Sequence, residues 1–353
     1  DDPAGGLREE VLRAIQGARE SIDMAVYGLD DPAVSEALCN AIEAGVAVRA
    51  VTGDESADER TGGGYWRSYF SEADGLAGCG ARVETVHSDG IMHHKFLLVD
   101  AGTPEGMLGT GSTNLTEAGF DLNHNNMVFV RGMPKLEAAY RAELEQLLGH
   151  CTLDRLDDRR SCAECTPGCT EDRSEEGPWP LPNGEGELEA YFSPSDDALR
   201  VLRGEAEEIY LEVPDPACDL PGADCVCRRS GDGFKCAYCA LGEGGYGLLQ
   251  DAEDRVLVSM FAATDQCFAL GMVRAAERGV AALAVFDHVK GASPYSRDDY
   301  LCARGVATYI ADWGDGNALV HNHNKIVVVD DTVFSGSMNL SGRGVEKNNE
   351  NSL

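Results

Sequence analysis

The chain has 353 residues, room for two cores or one large one, and its 43% hydrophobic and 25% charged side chains are ordinary for a folded protein. Its charge is not ordinary: 61 acidic against 29 basic residues leave a net charge of −32. Such a field repels polyanions and anionic membranes at long range, which argues against a nucleic-acid-coating protein, while a local basic pocket can still hold one phosphate. Only six of the bases are lysines, which fits solubility in a salty medium.

The chain opens at Asp1-Asp2-Pro3, without an initiator Met or a signal peptide, and reads as a mature or trimmed product. Ile22 to Tyr27 is a short apolar strand. Asp31-Pro32 then caps and opens a helix whose apolar face is Val34, Leu38, Ala41 and Ile42. Gly45 ends that helix, and Val46 to Val51 is the next strand. The segment Ile15 to Tyr27 lines up with Leu249 to Phe261, and the match runs without gaps to Glu43-Ala44-Gly45-Val46 against Glu277-Arg278-Gly279-Val280. The chain therefore contains an internal repeat. Each copy alternates strand and helix, which implies βαβ units on a largely parallel sheet.

Between the copies, residues 151–186 hold Pro167, Pro178, Pro180 and Pro182 together with Cys162, Cys165 and Cys169, just after Cys151. This stretch reads as a linker between a first domain, 1–150, and a second, 187–353. Tyr191-Phe192-Ser193-Pro194 starts a fresh strand and turn. A second cysteine cluster, Cys218, Cys225, Cys227, Cys236 and Cys239, falls in an insertion at about 198–247 that the first copy lacks. It reads as an excursion near the domain interface rather than a separate catalytic domain. Thirteen cysteines, clustered in polar Gly/Pro-rich segments, point to disulfide-stapled loops in a secreted or periplasmic protein. Zinc is the rival reading, because Cys162-x-x-Cys165 and Cys236-x-x-Cys239 have ligand spacing, although the spacings between the pairs match no zinc module. The odd total leaves at least one thiol unpaired or paired elsewhere. No run of 18 apolar residues occurs, so no spanning helix is expected.

Each copy also delivers the same polar residues. His93, Lys95 and Asp100 occur as His-x-Lys-x4-Asp, and His323, Lys325 and Asp330 repeat that spacing. Each set is followed by a Gly-Ser-x-Asn turn, Gly111-Ser112-Thr113-Asn114 and Gly336-Ser337-Met338-Asn339. On a strand, His and Lys two apart point to one face, so an imidazole and an ammonium emerge together. Placing them beside a run as apolar as Ile326 to Val329 costs desolvation unless an anion is expected there. Ser and Asn in the glycine turn add donors for phosphate oxygens.

The doubled motif resembles the phospholipase D superfamily over both halves, outside the linker and the insertion. The resemblance implies an α/β fold of two tandem α-β-α sandwich domains related by a pseudo-twofold, with the two motifs meeting at one site. It implies a phosphodiesterase in which one histidine attacks phosphorus to form a phosphohistidine and the other protonates the leaving alcohol, then activates water. His93 is assigned as nucleophile and His323 as acid/base by that analogy. Lys95, Lys325, Asn114 and Asn339 hold the phosphoryl oxygens, joined by Ser112 and Ser337. No metal or organic cofactor is expected. Asp100 and Asp330 complete the catalytic set, although such residues more often brace strand ends. The second copy ends Lys347-Asn348-Asn349-Glu350-Asn351, matching the family's trailing acid, which orients a histidine, and Glu350 is counted with the substrate-binding residues. The first copy has Asn125 where that carboxylate would be, so the two histidines should not be equivalent.

Among the other histidines, His94 should point to the opposite face and pack, while His321 shares the motif face and is a candidate pocket residue. Trp313 is a candidate for the rim of the substrate mouth, an ordinary loop aromatic being the alternative. The expected substrate is a phospholipid, through hydrolysis or exchange of its headgroup, with peripheral membrane contact. The alternative is a metal-independent endonuclease, since the ending Asn348 to Asn351 also looks like small nucleases of the superfamily. A non-catalytic binding module is disfavoured because neither copy lacks a motif residue. Charge favours the lipid, because no Lys/Arg-rich run offers a track for a nucleic-acid backbone. Two motifs in one chain remove the need for a dimer, so a monomer is expected.

Overall fold

A computed structural model describes residues 6–53, 75–86, 90–150, 177–193, 196, 198–213, 224–240, 247–312 and 320–353. The chain forms two compact units. The first gathers residues up to 196 with 336–338 and 346–353; the second holds 197–335 and 339–345. The last eight residues of the second repeat copy therefore group with the first unit.

In the first unit, β1 (Ser21–Val26), β2 (Ala47–Gly53), β3 (Arg82–Val86), β4 (Lys95–Val99), β5 (Met107–Gly111) and β6 (Met127–Arg131) form one sheet in the order β3-β2-β1-β4-β5-β6. The pairs β1–β2 and β2–β3 are parallel, whereas β1–β4, β4–β5 and β5–β6 are antiparallel. The sheet is thus mixed rather than largely parallel. A parallel neighbour needs a crossover, and β4 returns to β5 through the turn 100–106 with no helix between them. Side chains alternate across the sheet. Ile22, Met24, Leu97 and Val99 pack with Val11, Ile15, Val34 and Leu38 of helices Leu7–Gly17 and Pro32–Glu43. Ala25, Phe96 and Leu98 pack on the other face against Leu136, Tyr140 and Leu144 of helix Pro134–His150. Two buried faces explain why β4 is apolar without alternation.

Strands β7 (Trp179–Pro180) and β8 (Glu187–Leu188) form a small hairpin, and β9 (Tyr191–Ser193) pairs with a strand from the chain's end, described below. In the second unit, β10 (Glu207–Val213), β11 (Cys225–Ser230) and β12 (Gly233–Ala240) make a separate antiparallel sheet in the order β10-β12-β11. This is the insertion. Cys227–Cys236 crosses its β11–β12 pair, and Cys239–Cys267 ties it to helix Gln266–Glu277. A third disulfide, Cys39–Cys79, links the first unit's helices. Cys236 and Cys239 are thus each bonded to another cysteine, which removes them as a zinc pair, and Cys302 is free and exposed. Cys151, Cys162, Cys165, Cys169 and Cys218, with Trp313, lie outside the described residues.

The repeat copy in the second unit builds β13 (Arg255–Met260), β14 (Ala281–Asp287), β15 (Ala307–Ala311), β16 (Lys325–Val329) and β17 (Thr332–Ser335) in the order β15-β14-β13-β16-β17. The order matches β3-β2-β1-β4-β5 of the first unit, whose sixth strand, β6, has no counterpart in this sheet. Helix caps repeat as well: Asp31 and Asp265 each accept from the backbone N–H three residues on, at 3.0 and 2.7 Å. β18 (Glu350–Ser352) closes the chain on β9. No helix of the described residues is long and apolar enough to cross a membrane.

The two motif aspartates belong to this framework and not, as expected, to the catalytic set. Asp100 ends β4 and Asp330 ends β16, both left-handed at φ 48° and 51°. Asp100 accepts from the N–H groups of Arg19, Glu20 and Ser21 at 2.7–2.9 Å, and Asp330 from those of Glu253, Asp254 and Arg255 at 2.9 Å. Five residues of strand, about 16 Å, separate each from its motif lysine. Burial alone would raise the Asp100 carboxyl, but these three N–H bonds hold it below the usual range; at Asp330 the N–H bonds dominate with the same result. A depressed carboxylate contributes stability above its unfolded pKa and loses it as pH falls through the folded value. Asp100→Ala should therefore lower unfolding stability by about 2–3 kcal/mol at neutral pH, because three donors lose their acceptor. Asp100→Asn should cost less, and the gap to wild type should shrink in acid. Urea melts at pH 7 and pH 3 check this.

Candidate active site

Lys95 opens β4 and Lys325 opens β16, and in each case the histidine lies two residues upstream. Both lysines are almost wholly buried, at 1% and 0% exposure, and both histidines are buried at 7%. Each ammonium donates to the carbonyl of its own motif histidine: Lys95 Nζ to His93 O at 2.7 Å, Lys325 Nζ to His323 O at 2.8 Å. Each also lies over an aromatic ring, Lys95 over Tyr27 at 5.4 Å and Lys325 over Phe261 at 5.0 Å. The same rings meet the histidines edge-on, Tyr27 with His93 at 5.3 Å and Phe261 with His323 at 4.8 Å. Tyr27 and Phe261 occupy matching positions of the repeat, so the aligned sequences already held this signal. Desolvation lowers Lys95 to about 7, with Glu350 pulling the other way.

Glu350 stands beside a histidine, and that histidine is the one of the first copy. Its Oε2 lies 2.7 Å from His93 Nδ1, so the histidine of the first copy has a carboxylate, supplied by the tail of the second. The tail reaches it because Asn349 runs beside Met92: His93 N–H donates to Asn349 O at 2.8 Å, and Asn349 N–H to Ile91 O at 3.0 Å. Gly90 permits the approach, since a Cβ there would sit 2.3 Å from Asn348 Oδ1 and 2.7 Å from Lys347 O. Asn348 Nδ2 donates to Glu350 Oε1 at 3.0 Å, and Ser337 Oγ donates to Oε2 at 2.7 Å. Burial would raise the Glu350 carboxyl, but the His93 and Lys95 charges and these hydrogen bonds hold it below the ordinary range. It is an anion at neutral pH.

The glycine-serine turns build the same joint twice. Ser112 N–H donates to Asn126 O and Ser337 N–H to Asn351 O, at 3.0 and 2.9 Å, while each serine Oγ accepts from the same partner's N–H at 3.0 and 2.9 Å. A Cβ at Gly111 or Gly336 would fall 2.2 or 2.1 Å from those carbonyls, so only glycine fits. Where Ser337 meets Glu350, Ser112 donates to Asn125 Oδ1 at 2.9 Å. Asn125 is thus the structural counterpart of Glu350. Ser112 and Ser337 are fully buried in these joints and act as supports rather than substrate ligands. Asn114 and Asn339 differ: each has a buried Oδ1 without a hydrogen-bond partner. Turning either amide over would put a donor there for an anionic oxygen.

His94 points away from the motif face, as alternation requires, with Nε2 2.9 Å from Glu143 and its ring edge-on to Phe96. His321 stands edge-on to Phe261, with Nδ1 3.0 Å from Asp287 Oδ2.

The sequence matches the family described as "Cardiolipin synthase, PLD-like domain" over residues 11–148 and 247–353. The unmatched stretch holds the linker and the three-stranded insertion. A mitochondrial cardiolipin hydrolase of Xenopus laevis is 30% identical over 39% of this chain and 59% of its own length. A phospholipase D of Rickettsia conorii (strain ATCC VR-613 / Malish 7) is 27% identical over 38% of this chain and 62% of its own. The chain therefore spans less than two thirds of these relatives. The phosphatidylserine synthase of Haemophilus influenzae Rd KW20 shares the fold over 99% of this chain and 80% of its own, with a TM-score of 0.56 at 11% identity. With the family matched in both repeat copies and its motif intact in each, the chain belongs to the phospholipase D superfamily.

Proposed function

We propose that this protein is a phosphodiesterase that cleaves or transfers a phospholipid headgroup through a phosphohistidine, using both motifs on one phosphate. The observation that carries the reading is the Glu350–His93 pair beside a buried Lys95. A carboxylate on Nδ1 fixes the tautomer with its proton there, which leaves the Nε2 lone pair for attack on phosphorus. In the first step the His93 Nε2–phosphorus bond forms and the bond to the leaving alcohol breaks, while His323 gives that oxygen a proton. In the second, His323 takes a proton from water or an acceptor alcohol, whose oxygen displaces His93. Lys95, Lys325, Asn114 and Asn339 hold the non-bridging oxygens as their charge grows. Two domains bounded near 150 and 187 would each contribute one motif, so a monomer suffices.

The lipid assignment is supported by the names of the relatives and the family description, and by the net charge of −32, which penalises a long polyanion more than a single phosphodiester. The three disulfides found among the described residues favour an oxidising compartment, secreted or periplasmic.

Purified protein in EDTA should release headgroup from phosphatidylcholine vesicles and leave single- and double-stranded DNA and RNA intact. Cleavage of nucleic acid with untouched lipid would replace this reading with an endonuclease.

With a labelled diester carrying an aryl leaving group, which needs no proton, His323→Asn should accumulate label on His93, and His93→Asn should take up none. Glu350→Gln should slow turnover on the order of 10²–10⁴-fold, since it frees the tautomer. Label on His323 would reverse the two roles.

Lys95 is an ammonium below about 7 and neutral above it. An anionic diester binds the charged form, so kcat/KM should fall as pH rises through neutrality. Lys95→Met should bind substrate weakly and lose that limb; the limb is read from initial rates between pH 5 and 9.

A further inference from the structure

A second polar cluster lies in the second unit, where Asp287 ends β14 and caps the short helix His288–Gly291. The Asp287 side chain is fully buried. Its Oδ1 accepts from the N–H groups of Val289 and Lys290, both at 3.0 Å, and its Oδ2 from Asn322 N–H at 3.1 Å. Asn322 is itself fixed, donating from Nδ2 to Val285 O at 3.2 Å and accepting at Oδ1 from Ser259 at 3.1 Å. This carboxylate cannot turn.

Two imidazoles face the same Oδ2. His321 Nδ1 is 3.0 Å from it and His288 Nδ1 is 3.6 Å, with the two rings nearly parallel, 21° apart in tilt and 5.8 Å between centroids. The first distance is a hydrogen bond and the second is not. His288 Nδ1 is buried and makes no hydrogen bond, although its ring remains partly exposed. An N-cap and a single His–Asp bond explain Asp287 and His321 but leave this nitrogen without a purpose. One ligand atom from each of the three residues falls within 4.8 Å of the others. Zinc bonds of 2.0–2.2 Å to nitrogen and oxygen put neighbouring tetrahedral ligand atoms about 3.3 Å apart, which lies between the two observed distances.

We propose that Asp287, His288 and His321 form a binding site for a divalent transition ion of the zinc class. Imidazole and carboxylate donors suit zinc over magnesium or calcium, which take all-oxygen shells. Three protein ligands leave a fourth position for water. Entry of the ion converts His321 to the tautomer protonated on Nε2, freeing Nδ1 to bind. The backbone donors on Asp287 remain as the outer hydrogen bonds that ligating carboxylates keep. The ion ties the end of β14 to the segment entering β16, two residues before His323, and sits beside the second motif, since the His321 ring meets Phe261, which also meets His323.

Isothermal calorimetry of the full chain, stripped with EDTA and dialysed, should show saturable Zn²⁺ binding that Mg²⁺ and Ca²⁺ do not displace. His288→Ala, at a partly exposed side chain, should weaken it at least tenfold, while Cys302→Ser should bind as wild type does. Should His288→Ala not fold, Co²⁺ on the wild type decides: visible bands without thiolate charge transfer support the site. Absence of saturable binding, an unchanged His288→Ala titration, or a thiolate band each overturns it. No turnover is measured, so the outcome is independent of the assigned activity.

Discussion

Two lysine ammoniums sit inside apolar strands, and most of the site follows from that constraint. Removing an ammonium from water costs several kcal/mol when nothing replaces its shell. Among the contacts that replace that shell are one carbonyl and one aromatic face at each Nζ. Lys95 responds by falling to about 7. Under the proposed function, a phosphodiester oxygen arriving at Lys95 would favour its charged form and offset part of that desolvation. The strand must also be held in register, because a one-residue slip would turn the lysine to the other face. Asp100 and Asp330 do this from the far ends, each gathering three backbone donors from the start of the neighbouring strand.

The repeat is symmetric in framework and asymmetric in charge. Both copies keep the glycine that lets two backbones touch, the serine that bonds its partner twice, and the asparagine with an orphaned oxygen. They part at one position, Asn125 against Glu350. Glu350 is one methylene longer than Asn125 and carries a charge, yet the serine hydroxyl donates to the side-chain oxygen in both copies, so the joint survives the exchange while the partner beyond it changes from Gly119 O to His93. His93 gains a fixed anion on Nδ1. Under the proposed mechanism, the histidine that must stay unprotonated on Nε2 is the one whose tautomer is set.

Much of this was legible in sequence because motif spacing and strand period are local. The His-x-Lys pair had to share a face, His94 had to leave it, and the capped helix after Asp31 was written in Asp-Pro. Sheet direction was not local in that sense. The helix-strand alternation is real for β1 to β3, but β4 to β6 turn back through connections that the pattern does not distinguish from crossovers. The partner of Glu350 was hidden for a similar reason. It is set by Asn349 pairing with Met92, a contact 257 residues apart that Gly90 makes possible. The insertion's disulfides were foreseen as a class, yet which cysteine meets which depends on the β11–β12 register.

The remaining tension is between an acidic chain and a site for an anion. At physiological ionic strength charges are screened beyond about 8 Å, so most of the −32 is invisible from inside the pocket. Under the proposed function, what a phosphate at the first motif would meet is local: the Lys95 ammonium, the orphaned Asn114 oxygen, and one carboxylate already committed to His93, Asn348 and Ser337. The outer charge acts on approach instead. A nucleic acid brings a phosphate every few ångströms and meets the acidic surface along its whole length. A lipid headgroup brings a single diester at a time, and a zwitterionic one brings no net charge. The same composition therefore penalises a long polyanion more than a single headgroup, which is the electrostatic side of the proposed lipid assignment.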